Sequence, residues 1–354
     1  MFRPDLNREG VRTLSKSNNE KNLKSIKLKR FLSDNAILVI WVIFCIYSIL
    51  FVEGFASAYN IKNYLGNCAP LLIVSAGLTI VTLNGGIDFS TTSVISLVST
   101  ISAYILMKTP LTGTPWAVVC AVLSGLVIGG VVGVINGLAV SKLKMPSFVA
   151  TLATKLIFSG VAVWFGSAYY DKISLSGLPA AFTMIGGKGG PFWIPLVIAA
   201  VICIFVEWLL SKTLFGRRVY AVGVNPRTAQ VSGVPVRKTI FMEFLICGLL
   251  AGLAGIVYTA KNRAGVTTMG DDMFINIVGA VVIGGTSPAG GFGSMKKTIY
   301  GALFLTLLST ILNLLGLHYT LYDVVKGVFV LIAAGISVVT REMNVRAAAK
   351  AAKM

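Results

Sequence analysis

The chain has 354 residues, of which 55% are hydrophobic and only 12% are charged, and its mean hydropathy is +0.82. Soluble domains carry about twice that fraction of charged residues, so the composition excludes an ordinary soluble protein. The formal net charge of +18 does not indicate nucleic-acid binding, because the basic residues lie in short segments beside long apolar runs. The chain is therefore predicted to be an all-α, polytopic membrane protein with no nucleic-acid partner.

Apolar segments recur along the whole chain, and each is long enough to cross a bilayer core of about 30 Å. We predict about ten transmembrane helices, with short or re-entrant glycine-rich breaks. They cover residues 35–52, 64–83, 89–107, 115–140, 147–168, 191–210, 240–260, 274–292, 298–315 and 321–340. Together they form one permease domain over residues 35–340, with a cytoplasmic loop at 211–239.

Lysine and arginine are unequally distributed between alternate loops. With both termini in the cytoplasm, 23 of the 31 basic residues lie inside and six lie outside. Cytoplasmic loops of membrane proteins carry such an excess of positive charge. Residues 1–34 are therefore predicted to be a basic cytoplasmic tail, attracted to membrane lipid, and residues 341–354 a cytoplasmic C-terminal tail.

The sequence offers no catalytic or metal-binding constellation. His318 is the only histidine, and the five cysteines are scattered in apolar stretches without metal-ligand spacing. The glycines around Lys188 lack the spacing and the hydroxyl of a phosphate-binding loop. We therefore expect no enzyme activity, no metal and no cofactor in this chain.

Two polar, glycine-rich breaks interrupt the apolar pattern, at residues 84–90 (Asn-Gly-Gly-Ile-Asp-Phe-Ser) and 284–293 (Gly-Gly-Thr-Ser-Pro-Ala-Gly-Gly-Phe-Gly). Non-helical backbone at membrane depth is tolerated only where protein buries it or water reaches it. A pair of such breaks in two halves of a chain can mark a substrate path. Alternatively, both are tight cytoplasmic turns whose glycines allow positive φ.

Polar residues in or near the spans are candidates for a substrate path: Asn84, Asp88, Ser90, Asn136, Asn276 and Thr286. Asp88 ranks first, because an ionisable group inside a span is a functional hypothesis by default. Its alternative role is to cap the helix that follows. Lys155 is expected to extend to the cytoplasmic surface, while Glu207 and Glu243 flank the basic loop and are expected to pair with its arginines.

The loop at residues 216–234 is compact and basic, and it carries helix-start and helix-stop signals. Pro226 suits the first turn of a helix, Asn225 suits its N-cap, and Gly233 suits its end. We predict a short helix of about two turns, lying across the cytoplasmic face between the sixth and seventh spans. Elsewhere, glycines recur every four residues in the fourth span, at 125, 129, 133 and 137, and predict a close helix-packing seam.

Four motifs in combination resemble the inner-membrane permeases of ABC importers for ribose and related simple sugars. They lie at residues 86–90, 216–233, 284–293 and 313–316, and the resemblance covers most of residues 60–340. It implies that the basic loop is a coupling helix for a separate ATPase subunit, which uses ATP and Mg. It also implies a second permease copy, an extracytoplasmic sugar-binding protein, and a multi-pass location in the bacterial cytoplasmic (inner) membrane.

The resemblance assigns coupling roles to Gly216, Arg217, Arg218, Tyr220, Gly223, Asn225, Ser232 and Gly233. The chain departs from the family pattern after Asn225, where the family usually has Glu-Ala-Ala and this chain has Pro-Arg-Thr. It also departs at Phe274 and Asn276, where an acidic pair is common. The second departure bears on the substrate more than on the mechanism.

The sequence thus predicts the membrane-spanning subunit of an ATP-driven importer for a monosaccharide, such as a ribose-like sugar or a polyol. Two alternatives stay open. One is a related ABC permease for nucleosides or branched-chain amino acids, which the sequence separates poorly from a sugar permease. The other is a stand-alone secondary transporter coupled to an ion gradient, which would need ion-linked carboxylates deep in the spans.

Overall fold

A computed structural model describes residues 36–170, 174–318 and 320–335. The predicted tails at 1–34 and 341–354 lie outside the described residues. The helices in chain order are α1 (Ala36–Phe51), α2 (Ala58–Leu83), α3 (Ser90–Lys108), α4 (Pro115–Ser141), α5 (Ser147–Tyr169), α6 (Ala180–Thr183), α7 (Ile194–Lys212), α8 (Leu214–Val224), α9 (Pro226–Val231), α10 (Val236–Asn262), α11 (Phe274–Ile283), α12 (Met295–Leu314) and α13 (320–335).

Seven of these helices are long and apolar enough to cross a membrane: α2, α3, α4, α5, α7, α10 and α12. The all-α polytopic class is confirmed, with one small addition. Strands β1 (Ser174–Ser176) and β2 (Ala264–Val266) form a two-stranded antiparallel sheet in which Leu175 lies opposite Gly265.

The eighth predicted span is wrong as a continuous helix over 274–292. Helix α11 has only 10 residues and ends at Ile283, so it is about 15 Å long, half the thickness of a bilayer core. Glycines with positive φ at 285, 290, 291 and 293 prevent its continuation. The helix thus ends where the glycine-rich break predicted at 284–293 begins.

Helices α2 and α3 form the centre of the bundle. In their most apolar windows 83% and 78% of the residues are buried, against 22–28% for α4, α5 and α7. The peripheral helices therefore expose much of their apolar surface, as lipid-facing helices do. Functional side chains on α2 and α3 are held in a packed interior.

The predicted glycine seam joins α4 to α10. A β-carbon on Gly129 would overlap the carbonyl of Gly248, and one on Gly252 would overlap the carbonyl of Gly125. The two backbones are therefore in direct contact, which small residues allow between membrane helices. This confirms the packing role predicted for these glycines.

Candidate functional site

Helix α9 is the short helix predicted in the basic loop. Asn225 is its N-cap, and the Asn225 Oδ1 accepts hydrogen bonds from the backbone N–H groups of Arg227 and Thr228 at 2.9 and 3.1 Å. The helix ends at Val231, and Gly233 follows with a φ of 82°. The predicted start, cap and end are confirmed.

Helix α8 precedes it and was not predicted. The Thr213 hydroxyl caps α8 by accepting a hydrogen bond from the N–H of Gly216 at 3.3 Å. A β-carbon on Gly216 would overlap the Leu210 carbonyl at the end of α7. Gly216 therefore allows the chain to turn sharply from a membrane span into the loop.

The outer surface of α8 and α9 combines cations with apolar side chains. Arg217, Arg218 and Ser232 are exposed, and Val224 and Val231 are 74% and 90% exposed. Apolar side chains displayed this fully beside arginines are typical of a protein-binding surface. Valine is a common residue and does not by itself indicate a binding surface. What indicates one in the sequence is the position of these two valines in an otherwise polar loop.

The inner surface of α8 is fixed to the second glycine-rich break. The Tyr220 hydroxyl donates a hydrogen bond to the Gly293 carbonyl at 2.8 Å. Burial raises the pKa of Tyr220, and the negative charge of Glu207 adds to the rise. The phenol therefore stays protonated at physiological pH and keeps this bond.

Backbone atoms of three segments meet where α8 ends. The Gly291 N–H donates to the Leu83 carbonyl at 2.7 Å, and a β-carbon on Gly223 would overlap the same carbonyl. A β-carbon on Gly290 would lie 2.8 Å from the nitrogen of Gly85 and 2.9 Å from the oxygen of Gly223. We refer to Gly85, Gly223, Gly290 and Gly291 as the glycine junction. It joins α8 to both glycine-rich breaks.

Three of the six predicted path residues form one buried network. Asp88 Oδ1 accepts hydrogen bonds from the Ser90 N–H at 2.9 Å and the Ser90 hydroxyl at 2.6 Å. Asn136 Nδ2 donates to Ser90 Oγ, and the Thr154 hydroxyl donates to Asn136 Oδ1, both at 2.8 Å. All four side chains are buried. Asp88 thus accepts a hydrogen bond from the first N–H of α3, which is the capping role that the sequence offered as its alternative. The network also connects α3 to α4 and α5.

Asn84 belongs to a different contact. Its Nδ2 donates to Glu243 Oε2 at 2.9 Å, and Glu243 is wholly buried in α10. The other carboxylate oxygen of Glu243 has no hydrogen-bond partner in the part of the chain that the structure describes. The expected pairing of Glu243 with loop arginines is wrong, because this side chain points into the bundle. Glu207 pairs with Lys296 at 3.6 Å, not with an arginine.

The connection from α10 to α11 enters the bundle without α-helical structure. It consists of strand β2, a turn at 267–270 and a single 3-10 turn at Asp271–Met273. The N–H groups of Val266 and Gly270 donate to Ser99 Oγ and Ser96 Oγ of α3 at 3.0 and 2.9 Å. A β-carbon on Gly270 would overlap the carbonyl of Thr92. Residues 264–273 therefore run along α3, and serine hydroxyls satisfy backbone groups that lipid could not satisfy.

Residues 264–273 and helix α11 together form a broken span. Discontinuous spans of this kind line the substrate sites of many transporters. The broken span was missed because the polar residues of this stretch, among them Asp271 and Asp272, placed it in a loop between the predicted spans 240–260 and 274–292. A signal was present: α3 is an apolar helix that carries hydroxyls at 92, 96 and 99 on one face.

Aromatic and charged groups meet beside the broken span. The rings of Phe89 and Phe274 are stacked with centroids 4.7 Å apart, and Lys155 Nζ lies 5.5 Å from the Phe274 centroid. Asp271 interacts electrostatically with Lys155, and both Asp271 and Asp272 are exposed. We refer to these five residues as the aromatic–charge face. The Lys155 ammonium group, which was expected to extend to the cytoplasmic surface, thus lies over the Phe274 ring.

The last two predicted path residues lie apart. Asn276 is half-buried beside the aromatic–charge face; its Nδ2 donates to the Asp272 carbonyl at 3.3 Å, and its Oδ1 has no partner among the described residues. Thr286 is fully buried inside the second break, against Gly293. The six candidates therefore form separate groups, and only Asn276 adjoins an exposed polar face.

Comparison with known proteins decides the family. The family described as branched-chain amino acid transport system / permease component matches residues 60–334. The chain belongs to this family. The matched region runs from α2 into α13, so the glycine junction and the broken span both lie inside it.

Relatives within this family of permeases carry sugar-import names. The ribose import permease protein of Bacillus subtilis (strain 168) is 37% identical over 300 residues, 84% of this chain and 89% of the relative. That of Escherichia coli (strain K12) is 31% identical over 304 residues, 85% and 92% respectively. The galactose/methyl galactoside import permease protein of Haemophilus influenzae (strain ATCC 51907 / DSM 11121 / KW20 / Rd) is 29% identical over 333 residues, 90% and 96%. No solved structure matches this chain.

These findings confirm the resemblance that the motifs predicted. The chain is a multi-pass membrane permease, and as a member of a family of permease components it is not itself an enzyme. Within this permease, the residues that sequence reasoning did not place in the site are Thr154, Glu243, Ser96 and Ser99. All four are polar groups inside spans, where a polar group must find a partner.

Proposed function

We propose that this permease is the membrane-spanning subunit of an ABC importer that carries a monosaccharide, such as a ribose-like sugar or a polyol, across the bacterial cytoplasmic membrane. A separate ATPase subunit binds Mg and hydrolyses ATP, and an extracytoplasmic binding protein delivers the sugar. Relatives with the names of ribose and galactose import permeases support this assignment.

The glycine junction is the observation that carries the mechanism. Gly223 of α8 contacts the last residue of α2, Leu83, and Gly290 of the second break contacts Gly85 of the first. These contacts join backbone to backbone, with no flexible side chain between them. A displacement of α8 is therefore transmitted directly to α2 and to the turn before α12.

The outer surface of α8 and α9 is the docking site for the ATPase in this account. Arg217 and Arg218 supply positive charge, while Val224 and Val231 supply apolar contact area. Closure of two ATPase subunits around ATP would pull on two copies of this surface. The junction then tilts the spans and opens the path alternately to each side of the membrane.

The aromatic–charge face is the wall of the sugar path. Charged groups inside a membrane face water or protein rather than lipid, and the grouping of Lys155, Asp271 and Asp272 supports a path and a second permease copy on this face. Aromatic rings stack on the apolar C–H faces of sugars, and carboxylates accept hydrogen bonds from sugar hydroxyls. Phe89 and Phe274 provide the rings, and Asp271 provides a carboxylate.

The importer assignment is tested by gentle affinity purification of the chain from its native membrane, with mass spectrometry of what accompanies it. We expect stoichiometric recovery of an ATPase subunit, together with a sugar-binding protein. Competition for uptake among ribose, adenosine and leucine then separates a sugar substrate from a nucleoside or a branched-chain amino acid. A chain that is purified alone and moves substrate in liposomes without ATP would contradict the proposal.

A further inference from the structure

A cavity of about 500 Å³ opens between the end of α4 and the beginning of α10. It is lined by Leu138, Ser141, Lys142, Arg237, Lys238 and Phe241. Three of the six lining residues are cations and none is acidic. This cavity is not part of the glycine junction, the buried networks or the aromatic–charge face.

The glycine seam explains why a cavity forms at this place. Along the seam, α4 and α10 touch through glycines, as at Gly129 and Gly248. At the level of Gly137 the opposing residue on α10 is Phe241, whose ring and carbonyl would crowd a β-carbon. Beyond this ring, the cavity lies between the last turn of α4 and the first turns of α10.

The chemistry of the cavity matches an anion with an apolar portion. Lys142, Arg237 and Lys238 are exposed at its mouth, whereas Leu138 and Phe241 are half-buried in its wall. The cavity lies at the ends of two membrane spans, on the side that carries α9 and is predicted to be cytoplasmic. Cations at this height lie at the level of lipid headgroups, and basic pockets between membrane helices bind anionic headgroups.

An apolar stripe on α4 leads away from the cavity toward the middle of the membrane. Val127, Val131 and Ile135 recur every four residues and are 63%, 50% and 40% exposed, and Leu138 continues the stripe into the cavity wall. An acyl chain can lie along this stripe while its headgroup occupies the cavity. A free phosphate ion would make no use of the stripe.

We propose that this cavity is a binding site for an anionic phospholipid, with the phosphodiester held by Lys142, Arg237 and Lys238 and an acyl chain along α4. Arg237 and Lys238 lie in the first turn of α10, directly after the basic loop at 216–234, so the bound lipid fixes the end of α10 that follows this loop. The inference does not depend on which solute the permease carries.

The test uses the full chain, purified in a neutral detergent and titrated with phosphatidylglycerol or phosphatidylcholine, with bound lipid counted by native mass spectrometry. The test variant combines Lys142→Gln, Arg237→Gln and Lys238→Gln. The matched control combines Lys212→Gln, Arg227→Gln and Lys296→Gln, which removes three exposed cations that do not line the cavity. A second variant, Leu138→Trp, fills the cavity and keeps its cations.

We expect phosphatidylglycerol to bind more tightly than phosphatidylcholine and to resist a large excess of inorganic phosphate. Each cation near an anionic headgroup contributes roughly fivefold, so the test variant should bind about one hundredfold more weakly, and the control should match the unmodified chain. Leu138→Trp should also lose the lipid. The proposal is overturned if both triple variants lose binding equally, or if inorganic phosphate displaces the lipid.

Discussion

The α-carbon of Gly223 rests against the carbonyl oxygen of Leu83, so that a β-carbon at this position would overlap that oxygen. Leu83 is the last residue of α2, the most deeply buried span. One atom-to-atom contact therefore joins the surface helix α8 to the centre of the bundle. A movement of α8 is therefore passed to α2 through this contact.

Gly223→Ala should separate α8 from α2. We expect ATP-driven uptake in proteoliposomes to fall by about tenfold or more, because overpacking a tight contact costs about 1–3 kcal/mol. Gly160→Ala is the matched control, since Gly160 lies in α5 with no neighbouring atom within 4 Å of an added β-carbon. Equal uptake by the two variants would show that the contact does not transmit motion.

Arg218→Asp tests the docking surface without disturbing packing. Arg218 is exposed, so the substitution should change the free energy of unfolding by no more than about 0.5 kcal/mol. We expect binding of the ATPase subunit and ATP-driven uptake to be lost while the protein remains inserted and abundant. Lys212→Asp, at the end of α7, makes the same charge change outside α8 and α9 and should retain both activities.

Local signals in the sequence were sufficient for α9 and for the helix seam. Asn225, Pro226 and Gly233 each act through their own backbone or cap geometry, which is readable from residue type and spacing. The glycines at 125, 129 and 133 likewise predict close packing from a four-residue repeat. These features need no knowledge of distant parts of the chain.

The candidate path could not be assembled in the same way, because its contacts are long-range. Asn84 meets Glu243, and Val266 meets Ser99, and in each pair more than a hundred residues of chain lie between the partners. The sequence therefore identified polar residues without showing which of them share a site.

The seam between α4 and α10 can be tested with two neighbouring glycines. A β-carbon on Gly129 would overlap the Gly248 carbonyl, whereas one on Gly130 would meet only a methyl of Leu249 at 3.4 Å. Gly129→Ala should lower the free energy of unfolding by about 1–3 kcal/mol, and Gly130→Ala should change it little. Thermal unfolding in detergent measures both, and equal melting temperatures would refute the close contact.

The hydrogen bond from Asn84 to Glu243 should appear as a coupling energy. A double-mutant cycle with Asn84→Ala and Glu243→Ala is expected to give an interaction of about 1–3 kcal/mol in unfolding free energy, because Asn84 is half-buried and the Glu243 carboxylate that it contacts is wholly buried. Glu243→Gln keeps the shape and an acceptor oxygen, and should be the mildest change. A coupling energy near zero would mean that the two side chains act independently.

Substitutions at Phe274, whose ring stacks on that of Phe89, test whether the aromatic–charge face contacts the sugar. Removal of an aromatic stacking partner costs about 0.5–1.5 kcal/mol, so Phe274→Ala should reduce sugar uptake about fivefold, while Phe274→Tyr retains the ring and should transport normally. Phe292→Ala removes an exposed ring outside the aromatic–charge face and serves as the control. If Phe274→Ala and Phe274→Tyr transported alike, the ring would not contact the sugar.

The central claim is that this permease moves a sugar by force transmitted from a separate ATPase through α8. It is tested most directly by measuring the uptake of radiolabelled ribose into proteoliposomes that contain the chain and its co-purified ATPase subunit. The binding protein is added outside the vesicles, and ATP is either enclosed inside them or left out. We expect accumulation only with ATP, and none with Arg218→Asp. Uptake that continues without ATP and follows an imposed ion gradient would contradict the account.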